Sequence, residues 1–166
     1  MNKFKAFFIA LTLFASLLSG CNKCKICLNG GEYEKKACKC PTSYTGDLCE
    51  TAINEAWLGT FTVSAYTDVT GNGCLEGVTQ VKIRSHGTEP NKVDICFVGE
   101  DVGFADICYF YGLVENGNNT GQLPSQILEG STITGDLTRT DNTIAVNFKI
   151  YEGGDLSCDV KITGVK

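Results

Sequence analysis

From residue 130 to residue 163 apolar side chains alternate with polar ones, and the alternation still matches when the chain is folded back on itself twice. Across a turn at Asp141-Asn142, residues whose numbers sum to 283 face each other: Leu137 meets Val146, Gly135 meets Phe148, and Ile133 meets Ile150. A three-residue loop Gly153-Gly154-Asp155, with a sum of 308, then sets Ile150 against Cys158, Phe148 against Val160, and Val146 against Ile162. One face of three consecutive strands is apolar throughout, as a buried sheet face requires. The other face carries Thr138, Asn147, Lys149, Asp159 and Lys161.

The same alternation, broken by Gly and Asn turns and without helical periodicity, begins near Ile53. It predicts about eight strands, at 57–66, 78–85, 92–98, 105–114, 121–127, 130–139, 142–151 and 156–163. An antiparallel meander of that number favours a small barrel or a flattened sandwich, because closure removes exposed edges. Over residues 93–111 a sum of 204 pairs Val93 with Tyr111, Ile95 with Tyr109, and Phe97 with Ile107. Tyr109 and Tyr111 are then expected in the core. Phe110 falls on the opposite face, either covering a disulfide or offering a binding surface. On that face Cys96 stands directly opposite Cys108, which predicts a cross-strand disulfide. Cys74 and Cys158 are left to tie an early loop to the last strand.

The chain starts MNKFKAFFIALTLFASLLSGC, two lysines followed by an apolar run from Ala6 to Leu18. That run is shorter than the roughly 20 residues of a membrane-spanning helix, so it reads as an export signal. Leu18-Ser19-Gly20-Cys21 resembles the lipobox of bacterial lipoproteins. The resemblance implies removal of residues 1–20, a diacylglycerol thioether on the Cys21 sulfur, and acylation of the new amino terminus. Two or three acyl chains anchor a protein where one holds only marginally. The expected location is the cell envelope, at the outer membrane, with the membrane held through the lipid on Cys21.

Removing residues 1–20 lowers the basic side chains from fourteen to twelve against nineteen acids, a mature charge of −7. Five lysines between Lys23 and Lys39 sit near the anchor, and the rest is acidic. No concentrated basic face is available for phosphate, so a nucleic-acid partner is not expected. Ten cysteines behind an export signal imply an oxidising compartment. For that reason Cys24, Cys27, Cys38 and Cys40 are read as disulfide partners rather than as a zinc site, despite their spacing.

Cys38-Lys39-Cys40-Pro41-Thr42-Ser43-Tyr44-Thr45-Gly46-Asp47-Leu48-Cys49 resembles the ending of EGF-like modules, and Cys27-Leu28-Asn29-Gly30-Gly31 resembles their Asn-Gly-Gly turn. In such a short piece Gly30, Gly31 and Gly46 are expected to supply backbone with positive φ. The third cysteine of the family pattern is replaced here by Tyr33. Carried over residue by residue, the resemblance implies Cys27–Cys38 and Cys40–Cys49 and leaves Cys24 unpaired. Cys24 is then a free thiol, reaches another molecule, or exchanges with Cys27. The acidic ligands of calcium-binding EGF modules are missing before Cys24, so no metal or other cofactor is expected.

The domains expected are a signal peptide at 1–20, a lipid-anchored EGF-like module at 21–50, and an all-β domain at 54–166. Trp57-Leu58-Gly59-Thr60-Phe61, the Gly-rich returns and an early cysteine answered by a late one resemble small lipocalin-like barrels, with the Gly–Trp order reversed. A hydrolase triad needs a histidine base, and the single candidate is His86, in a strand end leading to a turn. Glu100-Asp101 and Asp106 are the nearest paired carboxylates for glycoside hydrolysis, but a hairpin loop usually turns its acids to water. Asn118-Asn119-Thr120 matches a glycosylation sequon by chance in a bacterial protein. The function expected is a non-catalytic binding protein whose EGF-like stalk presents a β-domain to a protein, glycan or small apolar ligand. The alternatives are a lipocalin-like carrier of a small apolar ligand and, more weakly, a carboxylate-based hydrolase. An eight-stranded barrel is either filled by side chains or holds one ligand, and a lined cavity above about 300 Å³ separates the two.

Overall fold

The computed structural model describes residues 26–99, 107–115, 117 and 119–166. The export segment 1–20, Cys21, Cys24, Glu100, Asp101, Phe104, Asp106 and Asn118 lie outside the described residues.

Between Ile26 and Ala52 the chain is too short to bury a core, and two disulfides hold it instead, Cys27–Cys38 and Cys40–Cys49. Strands β1 (Glu32–Glu34) and β2 (Ala37–Lys39) form a hairpin with Tyr33 opposite Cys38. Its two turn residues, Lys35 and Lys36, both take positive φ, the geometry that matches strand twist in a two-residue hairpin. Strands β3 (Tyr44–Thr45) and β4 (Thr51–Ala52) pair next. Gly30 and Gly46 do adopt positive φ, at 77° and 97°, whereas Gly31 does not. Gly31 is needed for room instead: a Cβ there would lie 2.6 Å from the Cys49 sulfur.

A 3₁₀ turn, Ile53–Trp57, joins this segment to the barrel and buries Ile53, Asn54 and Trp57. Trp57 therefore belongs to the plug beneath the barrel and not to its first strand. Asn54 is the one buried polar residue of the described core, and it is fully employed. Its Nδ2 donates to the carbonyls of Glu89 (3.0 Å) and Lys92 (2.9 Å), and its backbone N–H to Pro90 (3.0 Å). Those bonds fix the turn to one end of the barrel.

Eight antiparallel strands follow: β5 (Gly59–Asp68), β6 (Val78–Ser85), β7 (Lys92–Gly99), β8 (Ile107–Val114), β9 (Thr120–Leu128), β10 (Ser131–Arg139), β11 (Thr143–Glu152) and β12 (Asp155–Val165). Each pairs with the next, and β12 returns to β5, so the sheet is a closed barrel and not a sandwich. Closure leaves no free edge along the meander. Two more disulfides, Cys74–Cys158 and Cys96–Cys108, tie a loop to β12 and β7 to β8.

The interior is filled. Phe61, Val81, Val93, Ile95, Phe97, Leu137, Ile144, Val146 and Val160 have no exposed surface. Glycines on inward positions make room for the larger residues: Leu137 lies where a Cβ on Gly112 or Gly121 would sit, and Phe61 where one on Gly164 would. Such small-against-large pairing is how a narrow barrel is packed without voids.

The β10–β11 ladder runs from Ser131↔Glu152 to Arg139↔Ile144 in the expected register. Ile150↔Cys158, Phe148↔Val160 and Val146↔Ile162 also pair as the alternation requires. The return between β11 and β12 differs: Glu152 pairs with Asp155, leaving a two-residue turn at Gly153-Gly154, and a bulge beyond Ile150 restores the register. Gly153 and Gly154 both have positive φ, as that turn demands.

The larger correction concerns β7 and β8. Cys96↔Cys108 and Phe97↔Ile107 pair as expected, but a bulge between Ile95 and Cys96 sets Ile95 opposite Phe110 and Asp94 opposite Tyr111. Phe110 is consequently buried in the core, Tyr111 is half-buried on the outer wall, and Tyr109 is the extra residue of the bulge.

Candidate functional site

The two ends of the barrel differ. One end is plugged by Ile53–Trp57 and adjoins the cysteine-rich segment. The other, formed by the loop 69–77 and the turns 129–130 and 153–154, holds a cleft of about 360 Å³.

Three phenylalanine rings make the cleft's floor. Phe97, Phe110 and Phe148 lie with ring centres 5.2–5.9 Å apart, each from a different strand. Leu75, Tyr109, Leu128 and Ile150 are half-buried and form its apolar walls. Glu129 and Glu152 also line it, and among the described residues no Lys or Arg does.

The loop that brings Leu75 to this mouth is organised by Asp68. Its carboxylate accepts from the Thr70 hydroxyl (2.6 Å), the Thr70 N–H (3.0 Å) and the Cys74 N–H (3.1 Å). Those bonds, led by the Thr70 hydroxyl, hold the Asp68 carboxyl below the ordinary aspartate range. Asn72 donates to the Ser157 carbonyl at 2.7 Å, the Tyr66 hydroxyl donates to the Cys74 carbonyl, and the Cys74–Cys158 disulfide completes the attachment. Leu75 itself sits at φ 58°, a conformation rare for a leucine that its surroundings must impose. Burial, followed by the charges of Asp68 and Glu76, pushes the Tyr66 phenol above its ordinary value.

The wall beside the cleft is irregular. Strands β8 and β9 share only two backbone register pairs, Leu113↔Gln122 and Val114↔Gly121. The next residue of β9 due to bond with β8 is Pro124, which has no N–H to donate. Gln126 fills the break with its side chain: Oε1 accepts from the Tyr111 N–H at 3.0 Å, and Nε2 donates to the Tyr111 carbonyl at 2.7 Å. One side-chain amide thus stands in for a peptide group.

Two other places compare poorly with the mouth. A larger concavity of about 770 Å³ lies on the outer wall of β9–β12, where Asn147 bonds with Asp136 at 2.9 Å and Lys149 pairs with Asp159 at 3.7 Å. His86 stands on the outer wall with Nδ1 2.6 Å from Asp94 and Nε2 3.9 Å from Glu89. Carboxylates, not hydroxyls, therefore face both its nitrogens, which is no arrangement for activating a serine. Among the described residues no three His, Cys, Asp or Glu side chains gather as a metal site, and no helix is long and apolar enough to cross a membrane.

Sequence reasoning singled out Phe110, as a disulfide cover or a binding surface on the face away from the core, expected Tyr109 in the core, and missed Leu75, Leu128, Glu129 and Glu152. The segment Ile107-Cys108-Tyr109-Phe110-Tyr111 is apolar on both parities, so alternation carried no signal for the bulge. The Glu129-Gly130 pair, both at positive φ, was readable as a turn. Comparison with protein-family models, with curated proteins and with solved structures gives no match.

Proposed function

We propose that this chain is a lipid-anchored bacterial lipoprotein of the cell envelope that binds an apolar group at its outer barrel mouth and performs no catalysis. In this reading Cys21 carries the lipid, the EGF-like segment serves as the stalk, and the barrel faces away from an outer membrane. One observation carries it: the apolar cleft lies at the barrel end opposite the segment that leads back to Cys21. The cleft volume of about 360 Å³ also supports the second reading, a lipocalin-like carrier, since small-molecule sites begin at about 300 Å³. Against full enclosure stand the side chains that already fill the interior below Phe97 and Phe148. The proposal is therefore a ligand seated in an open mouth rather than swallowed by the barrel.

Two measurements test it. Mass spectrometry of the mature protein is expected to show lipid on Cys21, and a Cys21→Ser variant is expected to leave the membrane fraction. An unmodified, membrane-free Cys21 in the wild-type chain would overturn the anchor. Methyl NMR during a screen of small apolar compounds, glycans and proteins should then show shifts at Leu75, Leu128 and Ile150. Shifts confined to the outer wall of β9–β12 would move the site away from the mouth.

A further inference from the structure

Resting on that reading of the mouth, we infer that the cleft selects small apolar ligands bearing a protonated amine and discriminates against apolar carboxylates such as fatty acids. The argument is chemical complementarity. The lining joins apolar walls to an aromatic floor, and among the described residues its charged members are Glu129 and Glu152. An apolar body gains by leaving water, at roughly 25 cal/mol per Å² buried. An ammonium group gains from the two carboxylates and from the half-buried Tyr109 ring. A carboxylate in the same place meets like charge on the rim and, among the described residues of the lining, no basic side chain to pair with. Glu76, exposed in the same end loop, adds a further carboxylate at this end of the barrel. The cationic side chains with assigned partners are elsewhere: Lys92 pairs with Glu89 at the plugged end, Lys166 donates to the Leu58 carbonyl there, and Lys149 pairs with Asp159 on the outer wall.

The experiment uses three probes of one chain length, n-hexylammonium, hexanol and hexanoate, titrated at pH 7 into the full mature chain. Affinity is read from methyl shifts of Leu75, Leu128 and Ile150. Hexylammonium is expected to bind roughly tenfold more tightly than hexanoate, with hexanol between them. A Glu129→Gln/Glu152→Gln variant, altered at turn and strand ends where folding is little affected, should bring the ammonium and carboxylate within about twofold while hexanol is unchanged. A Glu32→Gln/Glu34→Gln variant in the hairpin β1–β2 removes the same charge far from the cleft and should leave the preference intact. Equal binding of all three probes, or a preference lost equally in the hairpin variant, would overturn amine selection while leaving the mouth as a binding site. Failure of every probe to move the mouth methyls would remove the cleft reading as well.

Discussion

The barrel wall has two halves built to different standards. Strands β10, β11 and β12 pair in long ladders whose inward positions from Ile133 to Leu137, Ile144 to Ile150 and Cys158 to Gly164 are apolar or glycine. Strands β7, β8 and β9 contain a bulge, a proline and a two-pair seam closed by one glutamine side chain. The regular half supplies stiffness, since paired backbone groups and interdigitated side chains determine one another. The irregular half supplies shape: its bulge turns Phe110 inward and leaves Tyr109 at the cleft. Departures from a repeating ladder are where a sheet can aim side chains at something other than its own core.

The sharpest way to break this comparison is to remove one cross-link from each side. Cys74–Cys158 spans 84 residues and ties the mouth loop to the regular half, whereas Cys96–Cys108 spans 12 within the irregular half. Loop entropy credits the first with about 4–5 kcal/mol and the second with about 3, as upper figures. Denaturant unfolding of Cys74→Ser/Cys158→Ser against Cys96→Ser/Cys108→Ser should therefore rank them in that order. The reverse order would mean that the bulged seam, and not the regular half, carries the stability.

A smaller effect is expected at Gln126. Its truncation to alanine leaves the Tyr111 N–H and carbonyl without their partners, at a cost of about 1–3 kcal/mol. Hydrogen exchange should speed at Tyr111 while amides of the β11–β12 ladder keep their protection. Uniform acceleration across both halves would show that they open as one unit.

The smallest effect is on acidity. Asp68 titrates below the ordinary aspartate value, so its ionised form stabilises the folded loop. That contribution is complete above about pH 4 and is lost as the pH falls through the lowered folded-state value. The Leu75 methyl signals should shift in that acidic window, and Asp68→Asn should abolish the transition. A Leu75 transition unchanged in the variant would assign it to other carboxylates.

These two halves also explain what the sequence disclosed. Where polar and apolar residues alternate, as from Ile133 to Ile162, the register that alternation requires and the structure agree pair by pair through the middle of each ladder. Where both faces are apolar, as from Ile107 to Val114, a one-residue slip costs no visible mismatch and the register after the bulge was misread. The candidate site was harder still. Its members come from a loop, a turn and five strands, and a turn such as Glu129-Gly130 tells its own shape without telling which cavity it borders. Gly31 teaches the same lesson on a small scale: its presence was legible, but its reason, the nearby Cys49 sulfur, is a tertiary fact.

The pairing of β12 with β5 has a consequence in time. Synthesis delivers β5 some ninety residues before β12, the second of its two neighbours, exists. Throughout that interval one flank of the growing sheet stays unsatisfied, and non-local pairings of this kind form slowly. Cys74 spends the same interval without Cys158, beside earlier thiols with which it can mispair. An oxidation catalyst that acts too early would trap the wrong bond, so the order of emergence, as much as the final contacts, governs the yield of native protein.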